Sequence, residues 1–193
     1  PERRADPERV VTRRRHTLVA AALVAVGLVS VTACASGSSG SRARMYDSVS
    51  SMADSSSLVV TGTVDEQRVA NDVANAGPTT LSTVRVVNTA KTDADHPAGS
   101  TVIVRQHGTA GSSHPGMLLR QGTTYLLYLG PSALEGDLAE QFFVTGGAAG
   151  VYVAEDGRTD FRRGMDEGDD LPARLSLADA LEAFLDEHEL DGV

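Results

Sequence analysis

The sequence predicts a mainly β fold: an antiparallel barrel or sandwich of about five to seven short strands, with a C-terminal α-helix and a short N-terminal one. Two observations carry the β assignment. Runs rich in β-branched residues recur between residues 58 and 161, each bounded by Gly, Pro or Asp turn signals. No segment of helical period separates them, so neighbouring strands need no crossover and pair antiparallel. A third observation places the helix, because a 3.6-residue apolar period appears only near the end of the chain.

The elements follow in order. Arg13-Arg14-Arg15-His16 is a basic run, Leu18 to Val31 is apolar, and Thr32-Ala33-Cys34 closes the segment with small residues. This is the layout of an export signal, which places residues 1–33 outside the folded domain. Val31, Thr32, Ala33 and Cys34 together resemble the lipobox of bacterial lipoproteins. The resemblance implies cleavage before Cys34 and acylation of its thiol, with membrane lipid as partner. It also implies a cell-membrane location on the extracytoplasmic side. Two acyl chains at roughly 0.8 kcal/mol per buried methylene hold a protein firmly where one chain exchanges. The alternative is an uncleaved signal anchor from Thr17 to Ala35, about the minimum length for a bilayer span.

Residues 34–41 form a Ser/Gly tether, and residues 42–193 are expected to be one β-rich domain. Met45, Val49 and Met52 share a helical spacing, which predicts a turn or two of helix over 42–53. Strands are expected at Leu58–Val64, Thr79–Val87, Thr101–Gln106, Thr123–Leu129, Gln141–Thr145, Gly150–Ala154 and Thr159–Phe161. In the second of these Leu81, Thr83, Arg85 and Val87 alternate with Val84 and Val86, so the two sets face opposite ways. The run Gly146-Gly147-Ala-Ala-Gly150 reads as a turn between two strands. A helix is expected over 176–188, with Ser176 as N-cap and Asp179 three residues on. Its apolar stripe is Leu177, Ala180, Leu181, Phe184 and Leu185.

The order of landmarks over about 56–162 resembles the TIMP/netrin-module type of OB-fold. The matching pieces are Val60-Thr-Gly62-Thr-Val64, Val84 to Lys91, Thr101 to Gln106 and Gly122-Thr-Thr-Tyr125-Leu-Leu-Tyr-Leu129. Phe142-Phe143, Gly150-Val-Tyr152-Val and Asp156-Gly157 complete the series. The resemblance implies an OB-like barrel. The inhibitory mechanism of that family needs a free N-terminal cysteine and disulfides. Cys34 is the only cysteine and is expected to be acylated, so the mechanism does not carry over.

The net charge is −9, and residues 1–33 hold six arginines against Glu2, Asp6 and Glu8, so the remainder is more acidic still. An acidic surface repels phosphate backbones, which argues against nucleic acid as a partner. The single cysteine excludes an internal disulfide and a Cys-rich zinc site. His96, His107 and His114 have no zinc-ligand spacing, and the acids of 164–170 lack the alternation of a calcium loop. Ser112-Ser113-His114 places hydroxyls beside an imidazole, yet adjacency builds no nucleophile–base pair. No cofactor is expected. The leading expectation is therefore a non-enzymatic module for a protein or small-molecule partner at the cell envelope. The competing one is an envelope hydrolase or metal-dependent protein using His107, His114 and an acid from 164–170.

Overall fold

The computed structural model describes residues 44–92, 95–112, 117–156, 158–165 and 169–190, with side chains of the last helix described to 185. The chain clusters into two units, Pro1–Gly37 and Ser38–Val193, and all described residues belong to the second. Its elements are α1 (Val49–Asp54), β1 (Leu58–Ala70), β2 (Thr79–Lys91), β3 (Thr101–His107), β4 (Thr124–Pro131), β5 (Gln141–Val144), β6 (Val151–Ala154), β7 (Asp160–Arg163), β8 (Arg174–Ser176) and α2 (Leu177–Leu190). The fold is mainly β, as expected, and among the described residues one sheet has eight strands rather than five to seven. The added strand is Arg174–Ser176, which is too short to show a period of its own.

The pairings run β1–β2–β3–β5–β4, and β4 pairs again with β1. All are antiparallel except β3–β5. Alternation then explains two cores. Leu58 and Val60 of β1, with Tyr125, Leu127 and Leu129 of β4, pack on Val84, Val86, Val102 and Val104. The intervening Val59, Leu126 and Tyr128 point the other way, onto Met52, Ala53, Leu175 and Ala180 around the two helices. The central run Tyr125–Leu129 is buried throughout because both of its faces are covered. Among the described residues both cores are built from Ser38–Val193, a unit of ordinary domain size with a hydrophobic core of its own.

Gly62 sits where β1 changes register against β2. A Cβ there would stand 2.5 Å from Val84 Cγ1 and 2.9 Å from the Arg85 carbonyl oxygen, so only glycine allows the strands to approach. Arg105 of β3 is 2% exposed, yet fully bonded. Its guanidinium donates to both Asp72 oxygens at 2.8 and 2.7 Å, and its Nε donates to Gln141 at 2.7 Å. It ties the β1–β2 connection to β5.

Several expectations are refined. Gly146–Gly150 is the expected turn between two strands. Gln141–Val144 and Val151–Ala154 pair with different stretches of β4, and the glycines carry the chain from one to the other with Gly146 and Gly147 at φ 65. The N-terminal helix begins at Val49 after the N-cap Ser48, leaving Met45 exposed, while Tyr46 is buried instead. Leu81 is buried along with Val84 and Val86, because the whole of Thr79–Ser82 is covered. In α2, Ala180 is fully buried and Leu177 packs against the outer core, whereas Leu181 and Leu185 are exposed. The apolar stripe is wider than the surface it covers. The helix start is as expected: the Ser176 hydroxyl accepts from the Asp179 amide, and the Asp179 carboxylate accepts from the Ser176 amide.

Candidate functional site

The described residues form an open cleft of about 790 Å³ at one end of the paired strands. Gln67, Arg68, Val69 and Thr80 of the β1–β2 arm form one wall, and residues 117–121 form another. Val153, Arg162, Gly164 and Met165 close the third side, with Tyr125 at the floor. The volume falls in the range of small-molecule sites.

The 117–123 wall has no regular secondary structure, so its backbone groups must find partners elsewhere. Side chains of the strands supply them. Gln106 donates to the Met117 carbonyl at 2.8 Å and accepts from the Leu119 amide at 2.9 Å. Gln67 donates to the Leu119 carbonyl at 2.8 Å, and the Tyr125 hydroxyl accepts from the Arg120 amide at 2.9 Å. Gln121 donates to the Asp65 carbonyl at 2.8 Å. Leu119, 2% exposed, inserts into the inner core. Opposite, Gly164 lies directly against the Met117 thioether, so a side chain there would displace the end of Met117. The wall is fixed by these bonds, so Arg120 projects from a preorganised backbone.

The cleft is lined by three arginines and by no Asp, Glu, His, Lys or Cys among the described residues. Arg162 is committed in part, donating to Glu155 at 2.8 Å. Glu155 also accepts from Arg174, and this bond chiefly holds its carboxyl below the usual range. Neither Arg68 nor Arg120 has a carboxylate partner among the described residues. Val69 and Met165, both lining the cleft, are 55% and 37% exposed, so they offer apolar surface there.

The residues singled out from sequence are placed differently. Val31, Thr32, Ala33 and Cys34 lie outside the described residues, as does His114. His107 stacks on Phe143 at 5.4 Å, and His96 meets Phe142 edge-on at 5.1 Å, so two neighbouring rings of β5 hold one histidine each. Among the described residues no group of three His, Cys, Asp or Glu side chains is arranged to hold a metal. Ser112 donates to the Thr109 carbonyl and closes its own turn. The acidic stretch 164–170 is only partly within the described residues, and one of its members has a structural role. Asp169 is 8% exposed and accepts from the Tyr46 amide at 2.8 Å, pinning the segment before α1.

Sequence reasoning missed the cleft. Its signal in the sequence is slight: Arg68 and Arg120 each adjoin a glutamine, Gln67 and Gln121, while nothing beside Arg162 sets it apart. No described helix is long and apolar enough to cross a membrane. No protein-family model matches the chain, and no curated protein matches it.

Proposed function

We propose that this chain is an exported lipoprotein whose β domain is a non-enzymatic binding module, with the arginine-lined cleft as its ligand site. Cys34 carries the acyl anchor in this reading, and residues 34–41 let the domain stand off the outer face of the membrane. The domain itself is read as an OB-like barrel. What supports that is the return of the pairings to β1 after five strands, in the manner of a partly open Greek-key barrel.

The observation that carries the functional reading is the character of the cleft lining. Its hydroxyls belong to Thr80, Thr123 and Tyr125, and no imidazole, thiol, amine or carboxylate stands among the described lining residues to take a proton from them. Thr80 already donates to the Gly108 carbonyl, and Tyr125 receives the Arg120 amide. Arginine donors over an apolar floor, on a fixed backbone, suit recognition rather than turnover.

Two measurements test this. Intact mass of the protein from membranes is expected to show a diacylglyceryl group on an N-terminal Cys34; an unmodified Cys34 still preceded by Ala33 rejects the anchor. Backbone NMR of the Ser38–Val193 unit, titrated with a panel of small anions, neutrals and cations, is expected to show shifts concentrated at the cleft. Shifts scattered over the surface, or turnover of any panel member, reject the binding module.

A further inference from the structure

The chemistry of the cleft narrows its ligand, on the premise that the cleft is a binding site. We propose that it takes an amphipathic anion: a carboxylate or phosphate head held by Arg68 and Arg120, on a slender apolar body lying along Met117, Val153 and the rim residue Met165.

The charge argument comes first. The chain carries a net charge of −9, yet the cleft gathers arginines and excludes acids among its described lining residues. Asp72 feels the charge of Arg68, but the side-chain bonds it accepts among the described residues come from Arg105. The Arg68 guanidinium is therefore left to solvent or to a ligand, and so is that of Arg120. Guanidinium groups are weakly hydrated and present paired donors that match the oxygens of a carboxylate or phosphate. The apolar argument is independent. Val69 and Met165 expose their side chains at the mouth, and the floor behind them is apolar. Methionine is unbranched and adapts its shape to an apolar ligand body. Among the described lining residues the only aromatic one is Tyr125, at 1% exposed, which offers no face on which a nucleobase could stack. The head and the body thus point to an amphiphile rather than to a free inorganic anion or a nucleotide.

The source of such a head is either a free amphiphile or an anionic membrane lipid, and both are tested. Calorimetry and backbone NMR on the Ser38–Val193 unit would use decanoate and decyl phosphate below their aggregation range. Decyl glucoside, decyltrimethylammonium and inorganic phosphate serve as comparisons. The two decyl anions are expected to bind at the cleft, with each comparison at least about tenfold weaker. Arg68→Ala and Arg120→Ala are each expected to weaken decyl phosphate about tenfold, the loss of one charge-assisted contact. Arg158→Ala, an exposed change outside the cleft, leaves binding unaltered. Vesicles of phosphatidylglycerol and of phosphatidylcholine form the second arm. Arginine-dependent sedimentation with the former alone supports the proposal and assigns the head to a membrane lipid; uptake of the free anions without vesicle binding supports it and assigns a free amphiphile. Decyl glucoside binding as tightly as decyl phosphate, or both arginine variants binding within twofold of the parent, overturns the anion assignment and leaves the binding-module reading standing. Cleft resonances unmoved by every compound of either charge or none overturn both.

Discussion

Tyr128 offers a test in which the expected sign is unusual. Its ring packs in the outer core between β4 and the helices, and its hydroxyl oxygen is fully buried with no hydrogen-bond partner among the described residues. Burial is the main reason its phenol is pushed well above the ordinary range, and the negative potential of Tyr152 and Asp179 adds to the shift. A buried hydroxyl without a partner costs about 1–3 kcal/mol of lost hydration. Tyr128→Phe keeps the ring and its packing, removes that cost, and leaves a gap of one oxygen atom that recovers only part of its contacts. The expected net is a gain of about 1 kcal/mol, or about 2–4 °C in Tm for a domain of this size. Tyr152 is the control. Its hydroxyl donates to the Pro172 carbonyl at 3.2 Å, and its phenol is pushed up to about 12, chiefly by burial. Tyr152→Phe is therefore expected to lose about 0.5–1.5 kcal/mol. Urea and thermal unfolding of the Ser38–Val193 unit measure both, with an unchanged m value as the check that only stability moved. A Tyr128→Phe protein less stable than its parent by more than about 0.5 kcal/mol would refute the reasoning, since the hydroxyl would then have a stabilising partner.

The remaining predictions concern the framework. Gly62→Ala forces a methyl against Val84 and the Arg85 carbonyl, and is expected to cost about 1–3 kcal/mol in urea unfolding; a cost near zero would show that β1 and β2 can move apart there. Asp169→Ala strips the Tyr46 amide of its acceptor and is expected to cost about 1–3 kcal/mol, with faster amide exchange confined to residues 44–54. Uniform exchange across the sheet would assign Asp169 a different role. Asp65, Asp72, Glu155 and Asp160 all titrate below their ordinary range, each chiefly through a hydrogen bond from an arginine: Arg85, Arg105, Arg174 and Arg158 respectively. Depressed carboxyls contribute stability that is present above the unfolded value and lost as the pH falls through the folded one. The Tm is thus expected to hold down to about pH 4 and to fall below it, and a Tm that rises on acidification would contradict these pairs.

Much of the framework was legible because it is local. The β-branched run Leu58–Val64 and the apolar run Tyr125–Leu129 between turn glycines placed β1 and β4, since both signals are written in consecutive residues. Ser176 and Asp179 placed the start of α2 for the same reason, three positions apart on one turn. Distant chain segments decided the rest. The glycines mark 146–150 as a turn between strands, but which stretches its two flanks pair with is decided by β4. Leu181 and Leu185 have the spacing of a buried stripe, but the surface that α2 meets is too narrow to cover them. Asp169 looked like one acid among several until Tyr46, far away in sequence, supplied an amide for it.

The candidate site divides along the same line. Sequence by itself determined an export signal layout, an acidic mainly β domain and a chain with one cysteine, because composition, order and short periods need no third dimension. It also directed attention to His107, His114 and residues 164–170, since those side chains carry familiar chemistry. Only the tertiary structure brought Arg68, Arg120 and Arg162 to one cleft, from the end of β1, an irregular wall and β7. It did so because Gln67, Gln106 and Tyr125 hold the 117–123 backbone against the strands, and such bonds depend on where a turn lands rather than on what it is made of.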